Sequence, residues 1–480
     1  MRDYSFGNFI SALRERRGLS QYQLGALVGV SDKAVSKWEN GVSKPRIGMI
    51  RKLSEVLDIS VDELLTCEYA TFNELRKDLF TMKKEIIRIA NNKMQELYGE
   101  NPPIIIANRF HTEELMLDSQ DTLLWMGFLG KLQAVCDENN AYFEARGAQM
   151  GASFIAWLLG ATTVNPLSAH YYCPACKKVE FISDEKYGVD AEDKICLCGN
   201  AYIKDGFDID AINMYPFTNH NEVYVSGNMT KVVKQCLDEY FVGMGKVRKL
   251  EIADAHIEMP ESYKVTKYAL LSNEVARKYS EDVIAMSTEV FYSFSNEFPV
   301  LNIIENTDET LSSKSPLTIS SDQIQRYVEY GLQNEKFKNY DSAFDMSNVV
   351  QQKEKIKFGD LLAISGFIHS TGAWKNNAEI LYEKGHPLTE LIYCREDVYS
   401  FLHNKIQLKY GADLSGIAYD IKEQVRKGIY SHKAMPEDIE KLLYESEVPR
   451  WYIESMKKIR YLFPKTQLIA ALKREICNIK

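Results

Sequence analysis

The stretch LSQYQLGALVGVSDKAVSKWENG, Leu19 to Gly41, decides how the N-terminal part of this chain is read. Ser20 stands where a helix wants an N-cap, since its hydroxyl can accept one of the N–H groups left unbonded in the first turn. Gln21 follows at the exposed start of that helix. Leu24, Leu27 and Val28 then recur at i, i+3 and i+4, the spacing of one buried stripe. Gly29 interrupts the pattern where a sharp turn needs positive φ. Ser31 caps a second helix that turns Val35 and Trp38 inward and Asp32, Lys33, Ser36 and Lys37 outward. Two short helices joined by a glycine turn make a helix-turn-helix, whose second helix enters the major groove of DNA. Farther on, Ile50, Leu53, Leu57, Ile59 and Leu64 are spaced to close a small all-α core.

With these residues in register, the segment resembles the Cro/C1-type (XRE) helix-turn-helix family through residues 6–66. The resemblance implies double-stranded DNA as the ligand. Gln21 is then expected on a phosphate or a base at the groove edge. Ser31, Asp32, Lys33 and Lys37 are expected at base edges, with Lys44 and Arg46 toward the backbone. Such domains commonly bind as dimers on half-sites one turn apart. A homodimer is therefore expected, held by the connector helix or the larger domain, because each chain carries one copy of the motif.

Composition bounds the remainder. A chain of 480 residues is long enough for about three domains. Its net charge of −9 argues against nonspecific coating of nucleic acid along the whole length. The first 67 residues, however, hold ten Lys and Arg against eight Asp and Glu. Met1 to Phe6 is polar and charged with no apolar segment behind it, so no signal peptide is expected. No run reaches the roughly 18–20 apolar residues of a membrane span. The nine cysteines are too sparse for a disulfide scaffold, and their clustering suits a metal site in a reducing cytoplasm.

Residues 68–98 read as one amphipathic connector helix with Leu75, Leu79, Met82, Ile86 and Ile89 as its stripe, ended by GENPP at Gly99–Pro103. Residues 104–145 mix short helical and strand patterns. The polar stretch Asn306 to Gln323 reads as a linker, and from about Lys355 the pattern is helical. Between them lies a cysteine cluster. Cys173 and Cys176 form C-x2-C, and Cys196 and Cys198 follow after nineteen residues. Two thiol pairs on tight turns can present four thiolates tetrahedrally to structural Zn²⁺, leaving no position for a catalytic water. The second pair is one residue shorter than the usual knuckle, and Gly199 supplies its turn. The remaining cysteines, Cys67, Cys136, Cys236, Cys394 and Cys477, are isolated and read as packing residues.

Around the cluster, ARGAQMGASFIAWLLGATTVNPLSAHYYCPACKKVEF (Ala145 to Phe181) and KDGFDID (Lys204 to Asp210) resemble the palm-proximal segment of PolC-type, C-family bacterial replicative DNA polymerase III alpha subunits. FGDLLAISGFIHSTGAWKNNAEIL (Phe358 to Leu381), CREDVYSFL (Cys394 to Leu402) and VPRWYIESMKKIRYLFPK (Val448 to Lys465) are similar to the fingers region of that family. The resemblance covers roughly residues 90–470, interrupted across about 230–350. It implies a multidomain chain: an all-α helix-turn-helix bundle (1–67), the connector (68–98), an α+β palm-like domain with a zinc knuckle (99–345, the four-Cys module at 165–207), and a mostly α-helical fingers-like region (346–480). Single-stranded DNA and replication proteins are the partners this resemblance adds. The chain stops at Lys480, soon after the FPK element, so the clamp- and duplex-binding parts of the family are expected to be missing, as is an exonuclease insert.

The departures from the family bear directly on chemistry. Templated phosphoryl transfer needs two Mg²⁺ ions held by a few carboxylates. Anchored on Ser226-Gly227, the family's Asp-x-Asp falls on His220 and Glu222, and its third Asp on Asn302. One carboxylate of three cannot hold two hard cations. The loop that cradles a triphosphate keeps Arg146, Gly147, Gly151 and Ser153, a residual anion site. It has Ala148 and Ala152 where the family has serines, together with one inserted residue. His369 reads as structural. Lys457, Lys458, Arg460 and Lys465, interleaved with Trp451, Tyr452, Tyr461 and Phe463, read either as a nucleic-acid grip or as an ordinary amphipathic helix. Two functions stand at this point. The first is a cytoplasmic, sequence-specific DNA-binding regulator fused to a catalytically inactive polymerase core, with no catalytic residues. The second is an active DNA-directed DNA polymerase using Mg²⁺ on Asp208, Asp210 and Glu222.

Overall fold

The computed structural model describes residues 4–57, 64, 70–117, 120–214, 220–241, 246–252, 263–271, 283–289, 291, 300–306, 319–339, 344–410 and 415–479. The chain divides into two compact units, Met1–Lys84 and Glu85–Lys480.

The first unit holds α1 (Tyr4–Arg16), α2 (Gln21–Val28), α3 (Asp32–Glu39) and α4 (Ile47–Leu57), of which α2 and α3 carry side-chain caps. Ser20 accepts from Gln23 N while the Gln23 side chain accepts from Ser20 N at 2.7 Å, a reciprocal capping box. Gly29 ends α2 at φ 80, a conformation that costs residues with a Cβ. The core gathers Phe6, Phe9, Ile10, Leu13, Leu24, Val28, Val35, Trp38, Ile50, Leu53, Leu57 and Leu64. Leu27 corrects the expected stripe: it is 59% exposed, and the small Gly25 is buried on α2 instead. Gly25 approaches the backbone of Val30 and Ser31 so closely that a side chain there would separate the two helices. Ile59 and Cys67 lie outside the described residues.

A long helix, α5 (Ala70–Tyr98), follows. Its stripe positions Leu75 and Leu79 lie outside the described side chains. Ile86, Ala90, Met94 and Tyr98 are buried at four-residue steps, whereas Ile89 is exposed. Residues 104–145 are more helical than expected, forming α6 (Ile104–Met116) and α7 (Gln120–Glu138) before β1 (Phe143–Arg146). Two short helices, α8 (Ala148–Gly151) and α9 (Phe154–Leu158), lead into a small sheet of β2 (His170–Tyr172), β3 (Val179–Phe181) and β4 (Ile203–Asp205), ordered β3-β2-β4. Tyr98 closes α5 against this small sheet. Its hydroxyl lies 3.1 Å from His170 Nε2 and its ring edge meets Tyr172 with centroids 5.4 Å apart.

The larger sheet takes β1, then β5 (His220–Ser226), β6 (Lys246–Ile252), β7 (Tyr263–Leu271), β8 (Val283–Met286) and β9 (Val300–Asn306). Among the described residues their order is β1-β5-β9-β7-β6-β8, with the β5–β9 and β6–β8 pairs parallel. Helix α10 (Thr230–Tyr240) makes the connection out of β5. Of the expected linker, Asn306 ends β9 and Ser320 caps α11 (Ser321–Gln333), while residues 307–318 lie outside the described ones. The chain then runs through α12 (Ser347–Gln351), α13 (Phe358–His369), α14 (Glu379–Glu383), α15 (Arg395–Tyr410), α16 (Ser415–Arg426), α17 (Ile429–His432), α18 (Glu437–Glu445), α19 (Arg450–Lys458) and α20 (Lys465–Asn478). Helix α20 packs on α8, α11, α13 and β1, so the helical C-terminal segment is built against the sheet rather than apart from it.

Candidate functional site

In the helix-turn-helix, the N-cap Ser31 and Asp32, Lys33 and Lys37 of α3 are exposed, opposite the buried Val35 and Trp38. Ser31 Oγ accepts from Ala34 N at 3.3 Å and Asp32 Oδ1 from Lys33 N at 2.8 Å, so both already serve the helix start. Lys44 and Arg46 are exposed in the connection to α4. Gln21 is half-buried and its Nε2 donates to Glu39 Oε2 at 2.8 Å. Glu39 in turn takes Arg14 Nε at 2.6 Å and Nη2 at 3.0 Å. The sequence reading missed this buried Arg14–Glu39 pair, because its members stand 25 residues apart. It orients Gln21 from below.

The four cysteines do come together, the short second pair included. The Sγ atoms of Cys173, Cys176, Cys196 and Cys198 all lie within 4.8 Å of one another. Cys173–Cys198 stand 3.4 Å apart and Cys176–Cys196 3.5 Å. Four sulfurs about 2.3 Å from a tetrahedral zinc would be about 3.8 Å apart, so the cluster is compatible with structural zinc. The missing residue of the second knuckle is made good by Gly199 at φ 88 and by the Ile195–Ala201 bridge. Asn200 donates to Cys198 Sγ and lowers that thiol to about 6, toward the thiolate a metal needs.

The polymerase-like positions fall in one row across the large sheet. Register pairs Arg146 with Glu222, Glu222 with Asn302, and Asn302 with Lys267, on four adjacent strands. Residues at one level share a face. Lys267 Nζ donates to Asn302 Oδ1 at 3.1 Å. Burial pushes the Glu222 carboxyl up, opposed by Arg146 and Lys267. The side chain of His220 lies outside the described ones. Lys267 escaped the sequence reading because KVTKYALL carries no motif, and only the pairing of β7 with β9 brings it to the row.

The other two carboxylates of the second reading are elsewhere. Asp208 accepts from Ser168 Oγ at 2.9 Å and Asp210 from Ile212 N at 2.9 Å, both as loop-forming groups after β4. Among the described residues, the four cysteines are the group placed to hold a metal ion, and Asp208, Asp210 and Glu222 do not form another.

The residual anion loop is split by the fold. Arg146, Gly147 and Gly151 line a cavity of about 260 Å³ together with Arg474, Thr466 and His369. Gly151 has room only because it lacks a Cβ, which would sit 2.5 Å from Thr466. Ser153 is a correction: it is fully buried and turned away from the cavity. Its hydroxyl donates to Glu113 Oε2 at 2.9 Å, and Glu113 also takes Phe154 N at 2.8 Å and Ile155 N at 3.0 Å. The N–H groups that open α9, free donors in principle for a phosphate, are therefore held by the chain's own carboxylate. Arg109 locks that carboxylate at 2.6 Å and donates to Ala152 O and Ile209 O.

Part of the basic stretch near the C-terminus is tied up within the chain, while Arg460 and Tyr461 are exposed. Lys465 is 1% exposed, with its Nζ 2.8 Å from Asp397, while Tyr452 is stacked on Phe401 at 4.1 Å. Lys457 pairs with Glu440 and Glu454, and Lys458 Nζ donates to Asn376 O.

Comparison with known proteins agrees with both halves of the sequence reading. Residues 10–64 match a helix-turn-helix family model (HTH_3). The chain is 28% identical over 471 residues to a DNA polymerase III PolC-type of Clostridium perfringens, covering 81% of this chain and 31% of that protein. The corresponding figures are 28% over 473 residues, 82% and 32%, for Bacillus cereus. For Thermotoga petrophila they are 26% over 462 residues, 80% and 33%. The chain thus spans about a third of the length of the curated relatives it matches. No helix of the described residues is long and apolar enough to cross a membrane.

Proposed function

We propose that this is a cytoplasmic, sequence-specific DNA-binding protein, a transcription regulator, whose polymerase-like body does not perform templated synthesis. The row Arg146–Glu222–Asn302–Lys267 carries the second half of that reading. A pair of Mg²⁺ ions needs several hard oxygen ligands converging at short range. The row offers one carboxylate, one amide oxygen already taken by Lys267, and two fixed cations. A divalent ion placed there meets repulsion of several kcal/mol from each cation.

Primer extension by the full chain with Mg²⁺ or Mn²⁺ is expected to give no templated incorporation. Incorporation abolished by Asp210→Asn would establish the polymerase reading instead. Lys33 and Lys37 are the base-facing cations of the head. Lys37→Ala is expected to weaken operator binding by about 1–3 kcal/mol in a salt-matched footprint. An unchanged footprint would remove α3 as the recognition helix. Homodimers are expected on the operator, with half-sites one turn apart.

The thiol cluster holds structural Zn²⁺ in this reading, with all four positions filled by sulfur and the reducing cytoplasm keeping the thiols free. Purified protein is expected to carry close to one equivalent of zinc. Metal content below about half an equivalent, with the thiols reduced, would count against it. Single-stranded DNA and replication proteins remain the partners that the polymerase-like body suits.

A further inference from the structure

The cysteine cluster presents two kinds of sulfur. Cys173 and Cys196 are buried, whereas Cys176 and Cys198 are exposed. Ala175, Leu197 and Gly199 beside them are exposed as well, so a small solute reaches both outer sulfurs. Each exposed sulfur stands against a buried one of the other knuckle, Cys176 at 3.5 Å from Cys196 and Cys198 at 3.4 Å from Cys173. The knuckles are closed by their own backbones. Lys177 N donates to Cys173 O and Cys173 N to Lys178 O, both at 2.9 Å, and Cys196 N donates to Asn200 O at 2.8 Å. Sulfurs can therefore join across the knuckles without either turn coming apart. Within the second knuckle a single residue separates Cys196 from Cys198, and a disulfide between those two would distort the turn.

A metal-bound cysteine sulfur is a thiolate, and oxidants attack the thiolates they can reach. Access therefore puts Cys176 and Cys198 ahead of the buried pair. The Asn200 side chain donates to Cys198 Sγ at 3.5 Å, and a donor draws electron density from sulfur and blunts its attack. Cys176 is left as the first to react. We propose that the cluster is a modification site for hydroperoxides: oxidation at Cys176 opens it, two cross-knuckle disulfides form, and zinc is released. The proposal rests on the zinc reading of the cluster. In the first step the Cys176 sulfur takes one oxygen of hydrogen peroxide, the O–O bond breaks, and hydroxide leaves. The Cys196 thiolate then attacks the Cys176 sulfenic acid, an S–S bond forms, and a second hydroxide leaves. Cys198 and Cys173 repeat both steps with a second peroxide. Four thiolates give up four electrons, two peroxides become four hydroxides, and the spent sulfurs no longer ligate the ion. Because both disulfides run between the knuckles, the module stays tied together, and a dithiol reductant with zinc returns it to its starting state.

The test treats the zinc-loaded full chain, freed of reductant, with hydrogen peroxide beside a chromogenic zinc chelator, against an untreated sample. Release of about one zinc per two peroxides is expected. Peptide mapping should find Cys176–Cys196 and Cys173–Cys198 disulfides, and dithiothreitol with Zn²⁺ should restore the bound metal. The buried Cys136, Cys236 and Cys394 should stay reduced at the same dose and serve as the internal reference. At limiting peroxide, free Cys176 is expected to disappear about threefold faster than Cys198. Asn200→Ala should close that gap, with its zinc content and melting transition as the check on folding. Zinc retained at a dose that oxidises the buried thiols would overturn the proposal. So would disulfides confined within one knuckle, oxidation that dithiothreitol does not reverse, or equal loss of Cys176 and Cys198 in the wild type. Metal analysis before oxidation separates the two readings. Reduced protein with less than about half an equivalent of zinc defeats the zinc reading and this proposal with it. Bound zinc that peroxide does not release defeats this proposal alone.

Discussion

Asp397→Ala is expected to destabilise the larger unit by about 3–5 kcal/mol, the usual result of removing one member of a buried ionic group. Asp397 stands in the first turn of α15 with Lys186 Nζ at 2.8 Å on one oxygen and Lys465 Nζ at 2.8 Å on the other. Lys465 is almost wholly buried and its ammonium lies over the Tyr187 ring at 4.9 Å. Without the carboxylate, that ammonium has an aromatic face and little else. The three residues also join the β3–β4 connection of the small sheet, the start of α15 and the start of α20, so the loss loosens three elements together.

Urea unfolding followed by tryptophan fluorescence measures the effect. A change below about 1 kcal/mol would show the triad to be peripheral. Lys465→Met in the Asp397→Ala background should recover part of the loss, because the stranded charge leaves with its partner. The pH dependence has a definite sign. Burial alone would push the Asp397 carboxyl up, but Lys186 and Lys465 outweigh it and hold it well below the usual carboxylate range. A depressed folded value gives stability that is present above the unfolded value, about 3.9, and is lost as pH falls through the folded one. The difference between wild type and variant should therefore be flat from about pH 8 to about pH 5 and shrink below about pH 4.

Glu113→Ala is the second large expected effect, again about 3–5 kcal/mol. The carboxylate is fully buried and satisfies Phe154 N, Ile155 N and Ser153 Oγ, besides its pairing with Arg109. Each donor left unsatisfied in the interior costs about 1–3 kcal/mol. Arg109 keeps its bonds to Ala152 O and Ile209 O, so its charge is not entirely stranded. Glu113→Gln keeps one acceptor oxygen and should lose roughly half as much. Sulfate or phosphate is expected to restore part of the stability of Glu113→Ala and none of that of the wild type, because removing the side chain opens an anion-sized space at the start of α9. Salt-independent melting of both proteins would refute that account of Glu113.

How much of this was legible in the sequence follows the range of the interactions. The helix-turn-helix is written locally: Ser20, Gly29 and Ser31 act within three or four residues of themselves. Leu27 was misread because small Gly25 lets α2 and α3 close on its own side, leaving Leu27 to solvent. The cysteine cluster was legible from spacing alone, its shorter turn included. The large sheet was not. Its parallel β5–β9 pair joins residues 220–226 to residues 300–306, and no periodicity within either strand reports the other. The same distance hid Glu113, which closes a loop some forty residues away, and made Lys465 look like a solvent-facing cation when its partner is Asp397.

Tyr98 closes the long helix against His170 and Tyr172, and strand β2 runs straight on into Cys173. Three-residue strands bury too little to hold themselves, so on the zinc reading proposed above a metal held by the sulfurs at its edge would lend that small sheet its order. The last turn of α5 and the first thiol are in effect one mechanical part. A reagent that alkylates the exposed Cys176 should be felt as fraying at Tyr98, at the end of the long helix α5.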